Sequence, residues 1–173
     1  MTATTDFIPL ALCVLTVSDS RGPDNDGSGD YLVAALREAG HHLADRALLP
    51  DDRYRLRAQV SAWIADPAID GIIVTGGTGF TGRDSTPEAL LPLLDKTMPG
   101  FGEMFRQLSY QEIGTSTLQS RAFAGLANAT FVFALPGSTG ACRTAWEKLI
   151  HAQLDARTKP CNLVNLRPRL RDR

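Results

Sequence analysis

The chain has 173 residues, 43% of them hydrophobic and 21% charged, with a formal net charge of −1. That length suits one domain with a sizeable core, and the near-neutral balance excludes a general nucleic-acid binder. No apolar run approaches the ~20 residues that cross a bilayer, and the N-terminus lacks the basic n-region of a signal peptide. A cytoplasmic protein, with no membrane and no nucleic acid among its partners, is the expectation. Cys13, Cys142 and Cys161 are far apart, odd in number and in no metal-ligand spacing. Packing is the expected role of Cys13 and Cys142.

Residues 1–9 read as a loose lead-in. Leu10 to Val17 (LALCVLTV) is apolar on both faces, as a buried parallel strand is. Ser18-Asp19-Ser20-Arg21-Gly22 and a polar glycine loop follow. A helix is expected over Asp30 to Ala39, with Ser28 as its N-cap and Gly40 as its stop. His41 and His42 then read as exposed turn residues. Leu43 to Leu49 is a second strand, ending in Pro50-Asp51-Asp52. The next helix runs from Arg53 to Ala65, where Leu56, Val60, Trp63 and Ile64 form an apolar stripe.

Gly71-Ile72-Ile73-Val74 is a third strand, and it leads into the stretch that organises the chain, Thr75 to Pro87, TGGTGFTGRDSTP. Ser85 or Thr86 can cap a following helix and Pro87 suits its first turn. The helix from Glu88 to Leu94 is expected to bend or break near Pro92. Met98 to Gly102 reads as a punctuated junction, Glu103 to Tyr110 as a short helix, and Gln111 to Ser120 as polar and ambiguous. Arg121 to Gly125 and Thr130 to Leu135 form an expected hairpin. Pro136-Gly137-Ser138 then opens a long helix whose face carries Ala141, Cys142, Ala145, Trp146, Leu149 and Ile150. His151 lies late in that helix, where it favours the dipole. Residues 163–173 read as a loose tail. From Arg157 to Arg173 the charge is +5 against −6 for the remainder; a solvated basic end is the plain reading, a strap onto an acidic surface the sharper one.

Strands alternating with helices indicate an α/β domain with a mainly parallel sheet covered on both faces and a late antiparallel hairpin. In such sheets ligands bind at the carboxyl ends of the strands. Four strand ends here carry unusual residues: Ser18-Asp19, Asp51-Asp52, Thr75 to Asp84, and Pro136-Gly137-Ser138. A strand, a glycine loop, a carboxylate and a helix start present backbone N–H groups to an anion. Two carboxylates beside such a cradle suit Mg2+, which takes one or two carboxylates plus phosphate oxygens and waters. Each residue also has a plain role: Asp51 or Asp52 as an N-cap, Asp84 as a dipole partner, Ser138 as a cap. Gly77 to Gly82 fits G-x-G-x-x-G literally, but it follows the third strand and its helix starts late, so the dinucleotide match is weak.

The runs TGGTGFTGRDSTPEA, MPGFGEMFRQLS, LPGSTGACRTAWEKLI and QLDARTKPCN resemble the molybdopterin-binding family of molybdenum cofactor biosynthesis, the MoaB/MogA proteins, and its MoaB branch in particular. The resemblance runs from Leu12 to Asn162. It implies a three-layer α/β/α sandwich spanning the whole chain and assembling as a homo-trimer or hexamer. It also implies binding of molybdopterin and a purine nucleotide, with Mg2+- and ATP-dependent adenylylation of the pterin phosphate in active members. By the same resemblance Asp51 and Asp84 are the catalytic acids that hold Mg2+. Thr75, Gly76, Gly77, Thr78 and Gly79 form the nucleotide and phosphate cradle, and Pro136, Gly137 and Ser138 line the pterin side. A non-catalytic protein that binds molybdopterin with ATP or GTP is the alternative within the same pathway.

Overall fold

A computed structural model describes residues 6–171. Five of its six strands lie on or within two residues of the runs expected from the sequence: β1 (Ala11–Val17), β2 (His42–Leu49), β3 (Gly71–Thr75), β5 (Phe123–Ala127) and β6 (Thr130–Leu135). The sixth, β4 (Lys96–Thr97), is two exposed residues that carry no apolar signal. The sheet order is β2-β1-β3-β6-β5-β4. β2, β1, β3 and β6 are mutually parallel, whereas β5 and β4 run antiparallel to their neighbours. The expected hairpin is present, turned tightly by Asn128 and Ala129 at φ 48° and 65°. Along the β1–β2 pairing Leu12 faces Leu43 and Cys13 faces Asp45, so Ala44 is an extra residue and bulges the outer strand.

Alternation along β1 sends Leu12 and Val14 to one face and Cys13, Leu15 and Val17 to the other. The first face is covered by α1 (Gly27–Glu38), α4 (Pro99–Ile113), α5 (Thr139–Ala145) and the turn after it, through Leu32, Leu36, Phe101, Phe105, Cys142 and Trp146. The second is covered by α2 (Arg53–Ala65) and α3 (Thr86–Leu90), through Leu56, Val60, Trp63, Ala89 and Leu90. This is the three-layer α/β/α arrangement, and each large apolar side chain buried in it contributes about 1.5–3 kcal/mol. α5 continues through a π turn (Trp146–Ile150) into α6 (His151–Gln153).

Several local expectations are corrected. The N-cap of α1 is Asp26, which accepts from Gly29 N at 3.1 Å, while the hydroxyl of Ser28 accepts from Arg21. Met98 to Gly102 is not a junction, because Pro99 occupies the first turn of α4 and the helix runs on through Gly100 and Gly102. As expected, Pro92 ends the α-helical hydrogen bonding of α3, which passes into a 3-10 turn over Leu91–Leu93. His41 is buried rather than exposed: its Nδ1 accepts from Leu10 N at 3.1 Å, and its ring packs between Phe7 and Trp146. Burial, then the neighbouring His151, pull its pKa down to about 4.

The tail is a strap rather than a loose end. Val164–Arg169 forms a 3-10 helix, Val164 is buried, and Leu163 and Leu170 pack on the core. Arg167 pairs with Asp70, whose other carboxylate oxygen accepts from Ala11 N at 2.9 Å. Arg157 pairs with Asp155 and lies over the Phe7 ring. The lead-in likewise packs from Phe7 and Ile8 onward; its residues 1–5 and the tail's residues 172–173 lie outside the described residues.

Candidate functional site

The chain leaves β1 toward β2 on one side and returns to β3 on the other, which opens a crevice between β1 and β3 at their carboxyl ends. A cleft of about 470 Å3 occupies this point. Its lining includes Gly76, Gly77, Thr78, Gly79 and Asp84 from the β3–α3 loop, and Pro136, Gly137 and Ser138 from the β6–α5 loop. Eight of the ten site residues expected from the sequence therefore meet in one place. Thr75 and Asp51 do not line it. The Thr75 hydroxyl is buried beneath, donating to Pro136 O at 2.9 Å and touching Cys142 Sγ at 3.1 Å, so it ties the two loops together.

The glycines are dictated by contact. Gly76 sits at φ +104°, and a Cβ there would strike Val17 O. Gly77 sits at φ +69°, and a Cβ there would meet Thr86 Oγ1 and lie 2.7 Å from Asp51 Oδ2. The loop thus passes flush against the end of β1 and against the Asp51 carboxylate.

The two acids differ. Asp84 Oδ2 accepts from Thr81 N at 2.9 Å and from Thr81 Oγ1 at 2.7 Å; among the described residues Oδ1 has no hydrogen bond, and the residue lies on the cleft wall. Asp51 is buried behind the loop. Its Oδ1 accepts from both Ser85 N, at 3.1 Å, and Ser85 Oγ, and its Oδ2 has one long contact to Ser85 N at 3.3 Å. Burial pushes the Asp51 carboxyl above the usual range against the pull of the Ser85 bonds, and the nearby charges of Asp84 and Asp19 push the same way. Asp19 in turn accepts from Asp51 N and is gripped by Arg83, which holds it low. Ser138 caps α5, accepting from Ala141 N at 3.1 Å, so its plain role is also real. Burial pushes the Cys142 thiol up to about 11, which keeps it a packing group rather than a nucleophile.

Sequence reasoning missed the opposite wall. Ser109 and Ile113 come from α4, and Ser116, Gln119 and Ser120 from the 3-10 turn Gly114–Gln119 and its C-cap; all but Ser109 lie in the stretch Gln111 to Ser120, whose polarity gave no periodic signal. It also missed Arg121, which braces the glycine loop from outside. Arg121 donates to Gly79 O at 2.8 Å and to Asp84 O at 2.9 Å, pairs with Glu88, and its own N–H donates to Thr78 O at 2.9 Å.

A family model described as "Probable molybdopterin binding domain" matches residues 13–156, most of the chain and all of the loops described above. The chain belongs to this molybdopterin-binding family. Within the family, it is 60% identical over 158 residues to molybdenum cofactor biosynthesis protein B of Escherichia coli K12, covering 91% of this chain and 93% of that protein. A crystal structure of a molybdenum cofactor biosynthesis protein B superposes with a TM-score of 0.80 at 42% identity, over 84% of this chain and 91% of the other. The tungsten cofactor synthesizing protein MoaB from Pyrococcus furiosus superposes with a TM-score of 0.73 at 37% identity, over 80% and 89%. Family and fold agree with the resemblance carried by the glycine loop. Among the described residues no helix is long and apolar enough to cross a membrane.

Proposed function

We propose that this molybdenum cofactor biosynthesis protein binds molybdopterin and ATP in the cleft and adenylylates the pterin phosphate, releasing pyrophosphate. The observation that carries the reading is the meeting of the glycine loop, Asp84 and Pro136–Ser138 in one cleft. In this reading loop N–H groups bind the nucleotide phosphates, and Pro136 to Ser138 bound the pterin. No protein nucleophile is required, because in phosphoryl chemistry the protein mainly positions groups and neutralises charge.

The donor set fits Mg2+. Asp84 offers a free Oδ1, and Asp51 carries a charge crowded by Asp84 and Asp19 that a cation would relieve. Among the described residues no cluster of three acid, histidine or cysteine ligands occurs; Mg2+ is content with fewer when phosphates and waters complete its shell. Asp84 would hold the ion and Asp51 would support it, and the bound ion would neutralise phosphate charge. Assembly as a homo-trimer or hexamer belongs to the same reading and would cover the exposed Met104, Tyr110, Ile113 and Leu118.

The test is pyrophosphate release from molybdopterin, ATP and Mg2+. Asp84→Asn is expected to lower the rate at least about a hundredfold, the scale set by removing one preorganised electrostatic group, without unfolding the protein. A wild-type chain that binds both ligands and never releases pyrophosphate overturns the enzyme reading. One observation favours that second outcome: Asp51 is already bonded to Ser85 and lies outside the cleft lining. The protein would then bind molybdopterin with ATP or GTP and leave turnover to another chain. Calorimetric titration would show saturable binding, with Asp84→Asn weakening affinity only.

A further inference from the structure

The cleft lining contains two charged side chains, Asp84 and Arg21. Arg21 lies in the β1–α1 loop and is half-buried. Its Nη1 donates to Ser28 Oγ at 2.6 Å and its Nη2 to Gly137 O at 2.9 Å. Both partners are neutral, and among the described residues no carboxylate pairs with it. A guanidinium has five N–H donors, so three remain after these two bonds. The two bonds hold its plane in place, so little side-chain entropy is left to lose when an anion docks.

A second observation points to the same ligand chemistry. Thr78, on the glycine loop, is 2% exposed, and its Oγ1 is buried without a hydrogen-bond partner among the described residues. Burying a hydroxyl without a partner is costly. Thr78 is one of the residues that line the same cleft. A fixed cation lacking a counter-ion and a hydroxyl lacking an acceptor are complementary to one group, an oxyanion with several acceptor oxygens.

We propose that Arg21 and Thr78 form the seat for a phosphate ester, with Arg21 as the cation that receives it. The assignment rests on the reading of the cleft as a site for phosphorylated ligands. Since Arg21 is anchored to Gly137, the seat adjoins the Pro136–Ser138 side. The phosphate is that of the pterin or one of the nucleotide's; the chemistry is shared, and the ligand arms of the test separate them.

The experiment is calorimetric titration of the full chain with molybdopterin, Mg2+-ATP, inorganic pyrophosphate and adenosine, for wild type, Arg21→Gln, Arg21→Lys and Thr78→Val. Losing a charge-assisted bond should weaken the ligand whose phosphate sits there about ten- to a hundredfold. Adenosine binding should be unchanged, and the salt dependence of phosphate binding should flatten in Arg21→Gln. Arg21→Lys should fall between. Thr78→Val should weaken the same ligand while keeping or raising the thermal midpoint, because it removes a hydroxyl without a partner. A loss confined to molybdopterin assigns the seat to the pterin phosphate, and one confined to ATP assigns it to the nucleotide; either supports the proposal. Arg21→Gln binding every phosphate probe as wild type does would overturn it. So would an equal loss for adenosine, which is what a strut between loops predicts. A wild type that binds pyrophosphate through Arg21 but neither molybdopterin nor ATP would sink the proposed function and leave the seat standing. A wild type that binds no phosphate probe would sink both.

Discussion

The two ends of the parallel strands use the same side-chain chemistry in opposite ways. At the amino end, Leu10 N finds His41, Ala11 N finds Asp70, Asp70 finds Arg167, and the lead-in and tail are drawn over the edge. There donors, acceptors and charges are mostly satisfied by one another; among the described residues His41 Nε2 is buried without a partner. At the carboxyl end, among the described residues, Asp84 Oδ1 and Thr78 Oγ1 have no hydrogen-bond partner and the Arg21 cation has no counter-ion, around a loop with no room for a Cβ at Gly76 or Gly77. One end is built to hold the chain and the other to hold something else. Identical residue types can serve either purpose, and only their partners tell which.

That contrast can be attacked from both sides. The largest effect is expected at Gly77, where alanine would place a Cβ at φ +69°, in contact with Thr86 Oγ1 and 2.7 Å from Asp51 Oδ2. Strain and overpacking together should cost about 3 kcal/mol of stability, read by denaturant unfolding, and ligand binding should be lost with the loop. An unchanged unfolding midpoint would mean that the loop is not tightly held.

Next is the amino end in acid. The folded pKa of His41 lies at about 4 against an ordinary 6.5, so in that window the unfolded chain takes up a proton that the folded chain refuses. Stability therefore rises with pH across the window and is lost as pH falls through it, by at most about 3 kcal/mol. Protonating Nδ1 would also remove the acceptor for Leu10 N. Chemical denaturation from pH 7 to 4 should show the decline, and His41→Asn should flatten it.

The smallest effect is expected for Arg167→Ala. It should lower stability by about 1 kcal/mol, the scale of a partly exposed ion pair, and leave ATP affinity untouched. A change in affinity would show that the two ends are coupled and break the distinction.

Much of this was legible in the sequence, and the reasons are physical. Apolar runs such as Leu12 to Val17 and Ile72 to Val74 are buried on both faces, so their strands declare themselves. Arg53–Ala65 carries its stripe at helical spacing and folds as expected. The glycine loop was legible because positive φ and flush packing admit few other residues. What failed was whatever depends on a distant partner. His41 resembles any turn histidine until Leu10, Phe7 and Trp146 surround it. The basic tail resembles a solvated end until Asp70 meets Arg167. Asp51 and Asp84 were alike as strand-end acids, and only Ser85 and Thr81 distinguish the one behind the loop from the one on the cleft wall. The wall from Ser109 to Ser120 was invisible because hydroxyls facing a cleft follow no hydrophobic period.

The bulge at Ala44 has a consequence for how molecules of this kind meet. β2 is an outer strand, and beside the bulge the Asp45 carboxylate accepts from Arg46 N at 2.8 Å and from Trp63 Nε1 at 2.9 Å. A side chain thus occupies a backbone donor that a neighbouring strand would otherwise capture. The opposite border, β4, is only two residues long. The bulge with its occupied donor on one border, and the shortness of the other, make each a poorer template for a foreign strand.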